Sequence, residues 1–218
     1  MREVLQLAIP LSQSQIDAAA EFWKKNGGAE TPDVFSQIRK AFPGLSEAVA
    51  VKAIVLNELY GTNIIAIQKV ADCVEQVLKR DHSTGPELVE ELVTEIWPIT
   101  KQHNHSFASK YAHFFIDSTL PILDWYAEWM LGLHLGRSAQ VGNGKRYLKF
   151  AEDVEILKMA AGLQCSCAEL DGYLWMVGEY RYWKAHPKTQ VNAELRLHFE
   201  ALETNPKAEP DLARALGL

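Results

Sequence analysis

Apolar residues recur along the chain at intervals of three and four, with no sustained alternation of two. That is the period of helices with one buried face. Ile64, Ile67, Ala71, Val74 and Leu78 predict a helix from about Asn63 to Lys79. The run before it, Ser46 to Tyr60, is rich in Ala, Val and Leu and reads as its partner, with Gly61 and Thr62 between them. Leu88, Leu92 and Ile96 mark the next helix. Pro86 sits in its first turn, where a missing N–H costs nothing, and Pro98 is expected to end it or to follow shortly after its end. Further helices fit Ser106 to Phe115, Leu123 to Leu135, Arg146 to Gly162, Cys167 to Lys184, and Asn192 to Glu203. Ser12 to Trp23 opens on a cap residue and closes at Gly27-Gly28. Residues 137–144 read as a loop and residues 205–218 as a tail with one weak helical turn. The pattern predicts an all-α chain of roughly nine or ten short helices. Residues 1–218 are expected to form a single domain, with N-terminal helices in 1–45 and a C-terminal helix and tail in 187–218.

Composition agrees with that picture. The 218 residues are 48% hydrophobic and 23% charged, close to globular averages. No stretch approaches the about 18 apolar residues of a membrane span, and the first residues lack the pattern of a signal peptide. Three cysteines, an odd number, argue against a disulfide framework. A soluble, reduced, cytoplasmic protein is expected.

The net charge of −6 argues against a general polyanion binder, because phosphate binding rests on Lys and Arg. The charges are unevenly spread, however. Glu87, Glu90, Glu91 and Glu95 form an acidic block. No carboxylate occurs from Ile96 to Ile116, a window that holds Lys101, His103, His105, Lys110 and His113. A second acid-free window carries Arg137, Lys145, Arg146 and Lys149, and a third Arg181, Lys184, His186 and Lys188. These windows are either chance clusters on solvated faces or one electropositive groove.

Three short motifs invite chemistry and do not sustain it. His103 and His105, two apart, do not share a helix face, and no Cys or acid lies near at ligand spacing, so no metal is expected. Cys165-Ser166-Cys167 lacks the two-residue spacer of redox and zinc motifs and reads as buried free thiols. Gly142-Asn143-Gly144-Lys145 lacks the preceding strand and the following Ser or Thr of a phosphate loop, so no nucleotide cofactor is expected. Two features keep more than one reading open. Trp125, Tyr126 and Trp129 crowd one helix, as a packing seam or as a platform for an unpaired base. Asp124 lies at a helix start, where an N-cap role and a chemical role are compatible.

SFASKY at 106–111, PILD at 121–124, LDGYLW at 170–175 and LNELYGTNI at 56–64 together resemble a family of bacterial proteins described as 8-oxoguanine-DNA-glycosylase-like. The matches span about residues 56–178. The resemblance implies the all-α helix-hairpin-helix glycosylase fold, with DNA as partner and no cofactor. It implies Asp124 as the catalytic carboxylate, in its Pro121-to-Asp124 context. It gives Lys110 two readings, an amine nucleophile or a contact to phosphate or structure; His105 falls nearer the place of the family's lysine. Asn63, His105, Ser106 and Trp125 become expected DNA or base contacts, as do Tyr126, Lys145, Arg146 and Trp175. The segment Pro98 to His105 has no glycine where the family carries a Gly-rich hairpin. The expected function is excision of a damaged or modified base. The alternatives are a non-catalytic nucleic-acid-binding module and a helical protein-interaction or self-associating module.

Overall fold

The computed structural model describes residues 6–26, 30–137 and 146–218, the side chains of 30–32 excepted. Among the described residues the chain is all-α, with eleven α-helices, a short 3-10 turn and no strand. The helices are α1 (Gln13–Lys25), α2 (Glu30–Ala41), α3 (Val49–Leu59), α4 (Ile67–Lys79), α5 (Pro86–Thr100) and α6 (His105–Phe115). They continue with α7 (Trp125–Leu135), α8 (Arg146–Ala161), α9 (Cys167–Ala185), α10 (Ala193–Thr204) and α11 (Pro210–Leu216). No helix among the described residues is long and apolar enough to cross a membrane.

Several boundaries differ from the sequence expectation, each for a local reason. α4 starts at Ile67 rather than Asn63. The Asn57 side chain takes over the intervening backbone: its Oδ1 accepts from Thr62 Oγ1 (2.7 Å) and from the Ile64 N–H (2.9 Å). Gly61 and Asn63 both adopt positive φ there, which helix geometry forbids. Pro98 lies inside α5 instead of at its end or just beyond it. It gives up only its own N–H, and the helix runs on two residues before Lys101 caps it at φ +57°. α2 has no named span in the sequence reading, because only Phe35 is buried and Ile38 half-buried along it. The tail is firmer than expected: α11 buries Leu212 and Ala215 and packs on α1. The loop expected over 137–144 lies outside the described residues beyond Arg137.

The chain divides into two compact units: residues 1–28, 124–141 and 152–218 form the first, residues 29–123 and 142–151 the second. In the first, α9 packs against α7 and α1, and α1 against α11. Trp23 ties α1 to α9, its indole N–H donating to the Gly172 carbonyl (3.1 Å) and its ring stacking on Trp175 at 5.6 Å. A capping box opens α9: Ser166 Oγ accepts the Glu169 N–H (3.2 Å) while Glu169 Oε2 accepts the Ser166 N–H (2.8 Å). In the second unit, Phe35 stacks on Phe114 at 4.4 Å and meets Phe115 edge-on, which joins α2 to α6. The segment leading out of α6 is pinned to that helix by Ser109, whose Oγ accepts the Leu123 N–H at 3.0 Å.

Three buried imidazoles make the fold acid-sensitive. His113 Nδ1 lies 2.7 Å from the Leu120 carbonyl and His134 Nδ1 2.9 Å from the Ile9 carbonyl. His105 lies 3.6 Å from the Glu90 carboxylate, but its desolvation outweighs that attraction. Burial holds all three below the ordinary histidine range. Below about pH 6.5 the unfolded chain therefore takes up protons that the fold refuses, and stability falls as pH falls. Each histidine kept neutral costs up to about 1.4 kcal/mol per pH unit in that window. Glu179, held above the usual carboxylate range by burial, acts in the opposite sense, one group against three. Melting curves between pH 7.5 and 5.5 should show a falling Tm; a flat or rising Tm would contradict this assignment.

Candidate functional site

Asp124 sits where the sequence expects it, at the N-cap of α7, with extended backbone (φ −125°, ψ 156°). Its Oδ1 accepts the Tyr126 N–H at 2.9 Å. An N-cap residue must leave helical geometry, and that orients its carboxyl toward the open end of the helix. The two tryptophans that follow are four apart on α7 and stack nearly parallel, with centroids 5.9 Å apart and planes 12° apart. Tyr182 of α9 meets Trp125 edge-on at 4.8 Å and Trp129 at 5.9 Å, and the His186 ring lies 4.5 Å from Tyr182. The result is an aromatic shelf beside Asp124 on which Trp125 keeps 50% of its surface exposed. The third acid-free window runs along this end of α9. His186 and Lys188 are exposed, Arg181 is half-buried, and Lys184 pairs with Glu203.

α7 and α9 touch backbone to backbone at this site. A Cβ on Gly178 would stand 2.7 Å from the Tyr126 carbonyl oxygen, so only glycine permits the contact. The next residue is Glu179, with 2% of its surface exposed. Its Oε1 accepts the Asn192 N–H at 2.5 Å, and its buried Oε2 has no hydrogen-bond partner among the described residues. Burial first, and the charge of Asp124 after it, push the Glu179 carboxyl up against the lowering effect of the Asn192 N–H. The same surroundings push the Tyr126 phenol up to about 12, by burial and then by Glu179, Tyr182 and Asp124. Sequence reasoning missed Glu179. The signal was its spacing, three beyond Met176 and six beyond Tyr173, which puts an acid on the buried face of α9.

The second unit gathers other expected residues. Lys110 is buried, donates to Ser106 Oγ at 2.9 Å, and stands 5.0 Å over the Tyr60 ring. Tyr60 leads directly into the Gly61-to-Asn63 junction, where exposed Asn63 folds its amide back onto the Gly61 carbonyl (2.7 Å). His105 is the first residue of α6 and buried, with both ring nitrogens lacking a hydrogen-bond partner among the described residues. Of the first acid-free window, Lys110, His105 and His113 are all buried, so that window is not a run of solvent-facing cations. Arg146 is the first residue of α8 and its charge acts on His105, while Lys145 lies outside the described residues. Asp124 and Lys110 belong to different units. Trp175 is in the unit of Asp124, where its ring is engaged by Trp23. Among the described residues no group of acids, histidines and cysteines is placed to hold a metal, and Cys73 and Cys165 are free thiols.

Glu90 is a structural neighbour of this second cluster. Its Oε1 accepts the Tyr147 N–H (2.6 Å) and, more weakly, that of Leu148 (3.4 Å), at the N-terminus of α8. Glu90→Ala removes the acceptor of a part-buried N–H and is expected to cost about 1 kcal/mol in urea unfolding. Glu90→Gln keeps an acceptor and should recover most of that loss; equal losses in both variants would contradict the capping role.

A family model designated HI_0787_N, described as an N-terminal domain, matches residues 15–119, from α1 through α6. The match includes Asn63, His105, Ser106 and Lys110 and ends before Asp124. Searches of curated proteins and of solved structures find no match.

Proposed function

We propose that this chain is a DNA glycosylase-like protein that turns a damaged or modified base out of DNA and cleaves its bond to the sugar with Asp124. The observation that carries the reading is the Asp124 carboxyl, anchored by the Tyr126 N–H beside an aromatic shelf that leaves Trp125 half exposed. Cleaving a base–sugar bond builds oxocarbenium character at C1′. A fixed carboxylate facing that carbon stabilises the charge as it develops and orients the attacking water. The shelf offers ring faces to an unstacked base, and base–aromatic stacking is worth about 1–3 kcal/mol per base. Exposed His186, whose ring lies against Tyr182, and exposed Lys188 two residues on supply the place for backbone phosphates on an otherwise acidic chain. In the second unit, α5 and α6 are joined by a tight turn over 101–104, braced by Asn104 Nδ2 on Thr100 Oγ1 at 2.6 Å. Lys101 takes the left-handed position there, where a hairpin of the helix-hairpin-helix kind uses glycine.

Retention of duplex DNA carrying an abasic-site analogue tests the reading. Binding that prefers the analogue over intact duplex and weakens with salt is expected; no retention at low salt would remove the nucleic-acid reading. One observation favours a second reading, a helical protein-interaction module. α3 exposes Val51, Ile54 and Leu59 (45%, 41% and 47%) while burying its opposite face. Stable self-association with no DNA retention would select it.

A further inference from the structure

α3 is apolar on both of its faces. Val49, Ala53 and Leu56 line the buried one together with Lys52, whose ammonium turns inward to donate to the Gly44 carbonyl (2.9 Å). Ala50, Val51, Ile54 and Val55 recur on the other at spacings of three and four, Val51 and Ile54 exposed, Ala50 and Val55 half-buried. A helix that is hydrophobic all round belongs in an interior, so this outer face calls for a cover that no described residue supplies.

What fits the face is set by its charges. From Ala48 to Asn57 the only charged residue is Lys52, and it is buried. The face therefore offers no cation to nucleic acid or to an anionic membrane surface. The two ends of the helix have opposite needs. At the start, Ala48 is the N-cap, no side chain caps the first-turn N–H groups and no acid stands among them, so the positive end of the helix dipole is bare. At the other end, exposed Glu58 lies in a last turn that carries no basic residue, where an anion is disfavoured. Glu58 is four beyond Ile54 and seven beyond Val51, so it continues the same exposed ridge. Each end has what the other lacks.

We propose that this face is covered by α3 of a second copy of the chain, in an antiparallel pair about a two-fold axis near Ile54. The proposal rests on the interaction reading of α3 above, names its occupant, and needs no step of base cleavage. An isologous contact makes every interaction twice, and a two-fold axis across the helices sets them antiparallel. Ile54, at the middle of Val49–Leu59, then meets its own copy. Glu58 of each chain reaches the bare first turn of the other, at the roughly 8–10 Å axis separation of packed helices. A parallel pair would set Glu58 against Glu58. Glu47, the other acid nearby, is engaged by the Gly44 N–H at 2.8 Å, and its charge acts on Lys52. Phe42 and Leu45 add exposed apolar surface ahead of the helix start.

Analytical ultracentrifugation of the full chain over a concentration series, with circular dichroism and melting on the same samples, tests the pairing. Wild type should sediment as a monomer–dimer equilibrium. Ile54→Glu places a charge at the axis twice and should leave a monomer of unchanged helix content. Glu58→Lys decides the orientation. In the single chain it puts a cation at a helix C-terminus, so the Tm of the monomer should hold or rise. In the antiparallel pair it turns two attractions into two repulsions, and the dissociation constant should rise about tenfold or more. A wild type that stays monomeric at every concentration overturns the proposal, while leaving the interaction reading to a different partner. A dimer that survives Ile54→Glu overturns it by placing the contact elsewhere. A dimer lost in Ile54→Glu but no weaker in Glu58→Lys overturns the antiparallel arrangement. If Ile54→Glu does not fold, the response to Glu58→Lys alone decides.

Discussion

Asp124→Asn is expected to remove base release while leaving the fold in place. Asparagine caps helices as well as aspartate does, and its side-chain oxygen can still accept the Tyr126 N–H. The Tm should therefore stay close to that of wild type. What asparagine lacks is the charge. A single electrostatic stabiliser of a developing ion is typically worth about 10²–10³ in rate, and here the ion is a full oxocarbenium, so the loss should reach the upper end or beyond. Base release and thermal melting, measured on the same preparation, separate the two roles. Equal loss of folding and release would leave Asp124 as a cap alone.

The largest stability effect is expected at Gly178. A methyl group there would meet the Tyr126 carbonyl oxygen at 2.7 Å and its carbon at 3.1 Å, both backbone atoms that cannot rotate away. Overpacking of this kind costs about 1–3 kcal/mol. Alanine recovers about 1 kcal/mol through its helix propensity. The clash wins, because relief requires α7 and α9 to move apart. Gly178→Ala should lose up to about 2 kcal/mol in denaturant unfolding and perturb the tryptophan fluorescence of the shelf. Gly172→Ala is the control on the same helix. Its methyl would meet the Trp23 ring at 3.2 Å, a milder approach and one to a side chain instead of backbone. A Gly178→Ala protein as stable as wild type would mean that the α7–α9 contact is looser than described.

The helices were legible because each buries one periodic face. Ala71, Val74 and Leu78 on α4, and Leu88, Leu92 and Ile96 on α5, are buried as their spacing requires. The Asp124 cap was legible too, from an acid directly ahead of an apolar run. Interactions reaching beyond the local window were hidden. Asn57 shortens α4 from five or more residues upstream, and Glu90 caps a helix that begins 56 residues later. Glu179 was hidden for a related reason: its surroundings are burial first, then the Asn192 N–H and Asp124, groups distant in sequence. The first acid-free window looked like a surface feature, yet Lys110, His105 and His113 face inward. Charge counted along a sequence does not show which side of a helix carries it.

Base release by the wild-type protein tests the account most directly. Duplexes carrying hypoxanthine, 8-oxoguanine or 7-methylguanine would be incubated with the protein, and the free base quantified by mass spectrometry. Release of at least one base above the spontaneous rate, lost in Asp124→Asn, is the result this account expects. No release from any duplex by a folded protein would contradict it.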